Sequence, residues 1–344
     1  MRKYNVAILG ATGAVGTEFL KLIEERNFPF ANLKLLASKR SAGKVIPFMG
    51  KDYTVEETTD DSFKDVEIAL FAGGAASKQF APAAVKAGAV VIDNSSAFRM
   101  DPEVPLVVPE VNPQAIARHK GIIANPNCST IIMVMALKPL YDISKIKRIV
   151  VSTYQAVSGA GKDGMQELDD QMAEIAAGKP VEANVLPVAK LPKHYQIAGN
   201  LIPQIDVAQD NLYTKEEMKM VNETKKILED QDLRVTATTV RVPVSRSHAE
   251  SVNVEFEGDV SVEKAREVLT AFPGVQVKDN LAEQEYPMPL FTSGKNDVEV
   301  GRIRKDYSID HGLNFWCCGD QIRKGAALNA LQIAEYMIQH DMIQ

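Results

Sequence analysis

The segment YNVAILGATGAVG, residues 4–16, limits the fold of this chain more than any other stretch. Its apolar start, YNVAIL, is typical of a buried parallel strand. Gly10, Gly13 and Gly16 follow at once, and the next residues, EFLKLIEER, repeat apolar side chains at helical spacing. A strand, a glycine-rich loop and a helix in this order predict the first βα unit of an α/β domain.

Further short apolar runs follow this unit, separated in part by helix-like stretches such as residues 77–88. Short strands that alternate with helices predict a Rossmann-like, doubly wound parallel sheet. The runs span residues 33–38, 67–73, 89–93 and 121–125.

The pattern changes after Cys128, where the apolar runs are longer, richer in β-branched residues and more alternating. Such runs predict a second, α+β domain built on a mixed sheet. Helices are predicted at 162–178 and 214–230, with a long Pro-rich loop at 179–213. The runs span residues 148–157, 234–244, 249–258, 297–305 and 313–319.

A length of 344 residues also indicates two domains. The last amphipathic segment, residues 321–340, is predicted to be a helix that returns to the first domain. We therefore expect residues 1–127 and about 322–344 to form the first domain, and residues 128–321 to form the second.

Charge and cysteine content exclude several classes of protein. The net charge at pH 7 is −6 and the basic residues are scattered, so neither nucleic acid nor a membrane is expected as a partner. The first residues run directly into a strand and no 18 apolar residues are consecutive, which predicts a cytoplasmic protein. Cys128, Cys317 and Cys318 have no CxxC spacing, so we expect free thiols and no bound metal.

The glycine loop predicts a dinucleotide site. Glycines let the backbone turn sharply and approach a pyrophosphate, and the N–H groups that open the helix bind the anion. The spacing is i, i+3, i+6 instead of GxGxxG, and a tight turn without a ligand is the alternative. The residues predicted to contact the dinucleotide here are Gly10, Thr12, Gly13, Ala14, Val15 and Gly16.

The end of the second strand favours NADP over NAD. An NAD site places a carboxylate at this position to bind the ribose hydroxyls. Here the strand is followed by Ser38, Lys39, Arg40 and Ser41, whose hydroxyl and cationic groups suit a 2′-phosphate. Ser38, Arg40 and Ser41 are therefore the predicted phosphate contacts, and a solvated basic turn is the alternative.

Cys128 follows a polar turn, where a strand is predicted to end and a helix to begin. A thiol at a helix N-terminus has a lowered pKa and a larger thiolate fraction, which favours a nucleophile. The alternative is a small buried residue, since free cysteines are often buried. Cys317 and Cys318 are predicted to be strand residues without a chemical role.

Several motifs in one order resemble bacterial aspartate-semialdehyde dehydrogenase. The motifs are GATGAVG, NSSAFRM at 94–100, NPNCST at 125–130, YQAVSGAGKDG at 154–164, RVPVSRSH at 241–248, VGRIRKD and GDQIRKGAA. The resemblance implies an enzyme that interconverts aspartyl 4-phosphate with aspartate semialdehyde and phosphate, using NADP. Cells run this reaction reductively, toward diaminopimelate, lysine, threonine and methionine.

The same resemblance implies roles for three residues in the reaction. Cys128 would attack the aldehyde, and oxidation of the resulting thiohemiacetal would form a thioester. His248 would be the acid/base that moves the proton on the oxygen or the thiol. Gln155 would orient the bound acyl group.

Charged anchors for the substrate also follow from the resemblance. Arg241 would bind the carboxylate through its planar guanidinium, and Glu216 would bind the ammonium. The groups assigned to the phosphate are Arg99 and Lys219, with help from Asn127. For Glu216 and Lys219, which are spaced i, i+3, the alternative is a solvated ion pair.

The nicotinamide end of the cofactor is assigned in the same way. Ser158 and Gly159 would let the ring lie close to Cys128, and Gln321 resembles a family contact to the cofactor. Gly73 would line the cofactor crevice, although two glycines at a strand end also fit a turn. The family further implies a homodimer through the sheet of the second, catalytic domain.

Two rival functions would require a different substrate or a different set of site residues. Reduction of N-acetylglutamyl phosphate would use the same fold and nucleophile, but that substrate has no free ammonium for Glu216 to bind. A non-catalytic NADP-binding sensor would need no thiol, histidine and guanidinium together. The motifs therefore favour the aspartyl substrate.

Overall fold

The structure is a computed structural model that describes residues 2–343. The chain divides into two compact units, Met1–Asn127 with Ala326–Gln344, and Cys128–Gly325. No helix among the described residues combines the length and apolar composition needed to cross a membrane.

The first unit is a doubly wound α/β domain. Its sheet has the order β5-β2-β1-β6-β7-β8, and every paired strand is parallel. A separate antiparallel hairpin is formed by β3 and β4. Its elements are β1 (Tyr4–Leu9), α1 (Ala14–Glu25), β2 (Phe30–Ala37), β3 (Val45–Phe48), β4 (Lys51–Thr54), β5 (Glu56–Glu57), β6 (Ile68–Phe71), α2 (Ala75–Lys86), β7 (Val90–Asp93), β8 (Ile122–Ala124) and α8 (Leu328–Gln339).

Alternate residues of β1 face two separate cores, as expected for a sheet covered on both sides. Ile8 belongs to a core that includes Phe19 of α1 and Leu331 of α8. Ala7 belongs to the opposite core, with Ala81 of α2. The C-terminal helix therefore packs on the first unit.

The second unit is built on a mixed six-stranded sheet with the order β10-β9-β11-β14-β13-β12. The two outermost pairs are parallel and the three central pairs are antiparallel. The almost fully apolar helix α3 packs against this sheet. The elements are α3 (Cys128–Ile143), β9 (Ile146–Gln155), α4 (Lys162–Ala176), α5 (Lys215–Ile227), β10 (Arg234–Arg241), β11 (His248–Phe256), α6 (Val262–Ala271), β12 (Val275–Val277), α7 (Pro289–Thr292), β13 (Val298–Asp306) and β14 (Gly312–Gly319).

The predicted fold class is confirmed, with two local corrections. The strands β3, β4 and β5 were not expected between the second and third predicted strands. The last helix was predicted from residue 321, but α8 begins at Leu328 after a π-helical turn, Arg323–Ala327. Gln321 therefore lies outside that helix.

Candidate active site

The glycine loop has the geometry that a pyrophosphate requires. Gly10 has a φ of +83°, which turns the chain sharply at the end of β1. A Cβ at Gly16 would lie 2.1 Å from the Gly10 carbonyl oxygen, so only glycine lets α1 start this close to the strand. Gly13 is the N-cap of α1 and has no side chain with which to cap the helix. The loop thus fits a bound anion.

The basic turn lies next to this loop. The hydroxyls of Thr12 and Ser41 are 3.4 Å apart, which joins the loop to the residues that follow β2. Ser38 and Arg40 are exposed, whereas Ser41 is buried. The structure thus brings the predicted pyrophosphate and 2′-phosphate contacts together within the first unit.

Arg99 is anchored at the carboxyl ends of two neighbouring strands. Its Nε donates to the Asn125 carbonyl oxygen at 2.9 Å, and its Nη2 donates to the Asn94 carbonyl oxygen at 2.8 Å. These carbonyls directly follow β8 and β7. Ligands of doubly wound sheets bind at this edge, where Gly73, with a φ of +105°, also lies. Asn127, two residues after Asn125, is buried.

In the second unit, the main site residues each occupy the end of an element. Cys128 is the first residue of α3, and His248 is the first residue of β11. Gln155 and Arg241 are the last residues of the parallel strands β9 and β10 and are register partners. Since β11 runs antiparallel to β9, its start lies beside the end of β9. The sheet topology therefore gathers residues that are far apart in sequence.

The imidazole of His248 is fixed by one hydrogen bond, at Nδ1, whereas its other nitrogen faces a second donor group. The Ala156 N–H donates to Nδ1 at 3.0 Å, so the neutral ring carries its proton on Nε2. That nitrogen lies 3.4 Å from Gln155 Nε2. Burial, together with the nearby Arg241 guanidinium, lowers the pKa of His248 to about 3. At neutral pH the ring is therefore an uncharged hydrogen-bond donor at Nε2.

Arg241 presents a buried donor group. Its Nη1 donates to the Ala156 carbonyl oxygen at 2.6 Å, and the residue is only 3% exposed. Its Nε is buried and has no hydrogen-bond partner among residues 2–343. Burial lowers the pKa of Arg241, and electrostatic attraction to Glu216 and Cys128 opposes this. A buried N–H of this kind is costly unless a ligand accepts from it.

Glu216 links the helix α5 to the ends of the strands. Its Oε1 accepts from Gln155 Nε2 at 3.2 Å, and its Oε2 accepts from Lys219 Nζ at 3.0 Å. Lys219 also donates to Asp206 at 3.1 Å. Although burial alone would lower it, the two carboxylates raise the pKa of Lys219 above its usual value. The ion pair exists, but Glu216 is 5% exposed, so it is not a solvated pair.

Helix α5 is held in place by a capping box that the sequence TKEE indicates. The Glu217 N–H donates to Thr214 Oγ1, and Glu217 Oε2 accepts from the Thr214 N–H at 2.7 Å. The other oxygen of Glu217 accepts from the Thr239 N–H of β10 at 3.0 Å. This contact fixes the first turn of α5, and with it Glu216, against the strand that ends at Arg241.

Ser158, Gly159 and Gln321 lie together on the same side of the second unit. Gln321 Nε2 donates to Ser158 Oγ. A Cβ at Gly159 would lie 2.8 Å from Arg241 Nη1 and 3.4 Å from His248 Nε2. Glycine at 159 therefore lets this segment approach the guanidinium and the imidazole.

Cys317 and Cys318 lie in β14, as predicted, and both are fully buried. Burial raises the pKa of Cys318 to about 12 and that of Cys317 well above its usual value. Cys317 Sγ is 3.8 Å from Glu250 Oε2. Glu250 is itself completely buried, and burial raises the pKa of its carboxyl well above the ordinary value.

Sequence reasoning missed several groups that shape the site. The backbone N–H and carbonyl of Ala156 hold His248 and Arg241, but a backbone contact leaves no signature in side-chain identity. Asp206 lies in the long loop and reaches Lys219, with no local motif to mark it. Thr153, two residues before Gln155 on the same strand face, donates to Gln155 Oε1 at 3.0 Å. Period-two spacing from Gln155 could have indicated it.

Two family models match the chain. The model described as "Semialdehyde dehydrogenase, NAD binding domain" matches residues 5–119, and "Semialdehyde dehydrogenase, dimerisation domain" matches residues 137–324. Together they span most of the chain and define its class, the semialdehyde dehydrogenases.

Individual relatives narrow this class. An aspartate-semialdehyde dehydrogenase from Aquifex aeolicus is 55% identical over 344 residues, covering 99% of both chains. The crystal structure of aspartate semialdehyde dehydrogenase II from Vibrio cholerae complexed with ASA is 49% identical, with a TM-score of 0.94, and covers 98% of this chain and 99% of that one. The enzyme from Candida albicans, solved with NADP, is 26% identical, with a TM-score of 0.76, and covers 99% and 100%. The chain belongs to the aspartate-semialdehyde dehydrogenase family, which confirms the resemblance.

Proposed function

We propose that this protein is an NADP-dependent aspartate-semialdehyde dehydrogenase of the phosphorylating type. It interconverts aspartate 4-semialdehyde and phosphate with aspartyl 4-phosphate through a thioester on Cys128. The observation that carries this proposal is the set of element ends in the second unit, where Cys128 opens α3 while Gln155, Arg241 and His248 end or begin adjacent strands. This set combines a nucleophile, a proton donor and a fixed cation.

The thiolate of Cys128 attacks the aldehyde carbon, and the carbonyl oxygen gains negative charge as the bond forms. The Nε2–H of His248 donates a hydrogen bond to that oxygen and stabilises the developing negative charge. Gln155, fixed by Thr153 and Glu216, orients the acyl group beside the thiol. Loss of a hydride from the carbon of this tetrahedral adduct gives the thioester. Phosphate then attacks the thioester carbonyl, and the thiolate leaves.

The substrate is held by charges at separate points. The buried Nε–H of Arg241 and the rest of its guanidinium bind the α-carboxylate, because a planar guanidinium matches a carboxylate at two atoms. Glu216 binds the ammonium. Arg99, Lys219 and Asn127 bind the phosphate that enters and leaves. This distribution of charge disfavours a substrate whose amine is acylated.

NADP is assigned to the glycine loop, the basic turn, Gly73, and the segment that contains Ser158 and Gly159. The fit of the loop supports this, as does the absence of a carboxylate among residues 38–41 after β2. When bound, the oxidised cofactor supplies the hydride acceptor for oxidation of the substrate. The match to an NAD-binding domain model and the NADP-bound Candida relative support the same assignment.

Removal of the Arg40 side chain is expected to discriminate between the two dinucleotides. Arg40→Ala should weaken NADP binding by roughly 1.5–3 kcal/mol, the scale of a hydrogen bond to a charged group, and leave NAD binding nearly unchanged. The test is to measure the dissociation constants of both cofactors by quenching of protein fluorescence. Lys51→Ala, an exposed lysine elsewhere in the first unit, is the matched control. An equal loss for NADP and NAD would show that Arg40 does not bind the 2′-phosphate.

We further propose a cytoplasmic homodimer that acts in the biosynthesis of diaminopimelate, lysine, threonine and methionine. The match to a dimerisation-domain model supports the assembly. The face of the sheet opposite α3 carries the aromatic pair Tyr154 and Trp316, with ring centroids 5.2 Å apart, which suits a protein interface.

A direct assay tests the whole proposal. Reduction of NADP should require phosphate and proceed with aspartate semialdehyde, and it should be at least about 100-fold slower with N-acetylglutamate semialdehyde, because Glu216 would face an uncharged amide. Absorbance of the reduced cofactor follows the reaction. Faster turnover of the acetylated substrate would replace the proposed activity with its rival, and binding of NADP without turnover of either substrate would indicate a sensor.

A further inference from the structure

Two chain segments of the second unit, residues 156–159 and 244–248, run side by side next to the Arg241 guanidinium. The Val157 N–H donates to the Val244 carbonyl at 2.9 Å, and the Ser158 N–H donates to the Ser245 carbonyl at 3.2 Å. The Ala156 N–H donates to His248 Nδ1. The position of the imidazole therefore depends on how these paired segments are held together.

Gln321 bridges the paired segments with both ends of its amide. Its Oε1 accepts from the Ser247 N–H at 2.7 Å, and its Nε2 donates to Ser158 Oγ. The glutamine is 3% exposed, Ser158 is 5% exposed, and Ser247 is fully buried. Because these groups are buried, loss of either hydrogen bond would leave a donor or acceptor unsatisfied, without water to replace the lost partner.

Ser247 has a backbone conformation that needs such support. Its φ is +73°, in the left-handed region that residues other than glycine rarely adopt. Strained residues of this kind persist where surrounding contacts determine the backbone. Here the contacts are Gln321 at the N–H and Ser293 Oγ, 3.1 Å from the Ser247 hydroxyl. The next residue is His248, so the conformation of this turn determines the position of the His248 backbone and of its imidazole.

We infer that Gln321 is a positioning residue that holds the Ser247 turn, and through it His248, in the geometry required for the proposed reaction. The inference rests on the proposed function, because that function assigns His248 to the chemistry. It is additional to the role implied by the family resemblance, a direct cofactor contact, because each end of the amide makes one hydrogen bond to protein and keeps one N–H or lone pair for a ligand. The cofactor segment at Ser158 and the proton donor at His248 are thereby joined through one side chain.

The Gln321→Met variant tests this inference, since methionine has a similar length and cannot make either strong hydrogen bond. Steady-state kinetics at saturating NADP should show a kcat about tenfold lower. A residue that only binds cofactor would raise the KM for NADP and leave kcat unchanged. The Gln321→Glu variant keeps an acceptor for the Ser247 N–H and should retain kcat within about threefold of the wild type.

A double-mutant cycle identifies the residue through which Gln321 acts. If it acts through His248, Gln321→Met should lower kcat no further in a His248→Asn background. Fully additive losses would overturn the inference, as would a raised KM for NADP with kcat retained. Should Gln321→Met fail to fold, Gln321→Glu decides, because a tenfold loss in that variant would contradict the role of the Ser247 contact.

A measurement without cofactor or turnover separates this inference from the proposed function. The chain has five histidines, and the imidazole signals in a nitrogen–proton correlation NMR spectrum of the cofactor-free protein can be assigned with His248→Asn. In Gln321→Met the His248 signal should shift or broaden while the other four remain in place. An unchanged His248 signal would refute positioning, whereas a wild-type protein inactive in the assay would refute the proposed function alone.

Discussion

Cys128→Ala is expected to abolish turnover, with kcat lowered by at least about 10⁴-fold, because the thiol forms the covalent bond on which both half-reactions depend. Folding and NADP binding should survive. The residue opens helix α3 at a partly exposed position, and alanine is a good helix former there. Stopped-flow measurement of NADP reduction should also show no first-turnover burst. Activity within tenfold of the wild type would refute the covalent mechanism.

The other two cysteines provide the internal control for this prediction. Cys317 and Cys318 are completely buried in β14, whereas Cys128 is partly exposed at a helix N-terminus. Iodoacetamide at neutral pH should therefore label Cys128 at least about 100-fold faster, as read by mass spectrometry of tryptic peptides. Bound NADP or substrate analogue should slow the labelling. Equal rates at the three thiols would show that Cys128 is not activated.

Arg241→Lys is expected to lower kcat/KM for the semialdehyde by roughly 100- to 1,000-fold. Lysine keeps the charge but loses the planar pair of donors, and it cannot replace both the contact to the Ala156 carbonyl and the buried Nε–H. The apparent constant for phosphate should change much less, since the phosphate is assigned to other residues. Titration of each substrate at fixed ionic strength measures both constants.

The same strand offers a matched control for this substitution. Arg234 begins β10 and is exposed, so Arg234→Lys should leave both constants unchanged. Arg99→Ala should show the opposite pattern to Arg241→Lys, with a larger rise in the phosphate constant than in the semialdehyde constant. If Arg241→Lys raised only the phosphate constant, and Arg99→Ala only the semialdehyde constant, the two assignments would have to be exchanged.

The fold class was predictable because its signals are local. The continuous apolar run YNVAIL, followed by glycines, indicates a strand that is buried on both faces of its sheet. The long alternating runs after Cys128 indicate strands that are buried on one face. The strands β3 to β5 were missed for the same reason. They are short and mostly exposed, and Pro47, Lys51 and Asp52 are residue types that are depleted in strands.

The candidate site was predictable only in part. A thiol after a polar turn marks a helix N-terminus locally, and the structure places Cys128 there. Nothing local, however, relates Gln155 to Arg241, which are 86 positions apart and become neighbours only through the register of β9 and β10. The family resemblance supplied that grouping, and the strand topology gives its physical basis. The contacts through the backbone of Ala156 could come only from coordinates.

The strand β11 places two buried titratable side chains, His248 and Glu250, two residues apart, and their pKa shifts couple folding to protons in opposite directions. The pKa of Glu250 is raised above 4.5, so its contribution to stability is present at low pH and is lost as the pH rises. The pKa of His248 falls from 6.5 to about 3, so its contribution is present above pH 6.5 and is lost as the pH falls. Between pH 4.5 and 6.5 the two contributions to stability change in opposite directions with pH. Above this pH range, ionisation of the Glu250 carboxyl lowers the free energy of unfolding. Below it, protonation of the His248 imidazole, on which the proposed chemistry depends, lowers the free energy of unfolding.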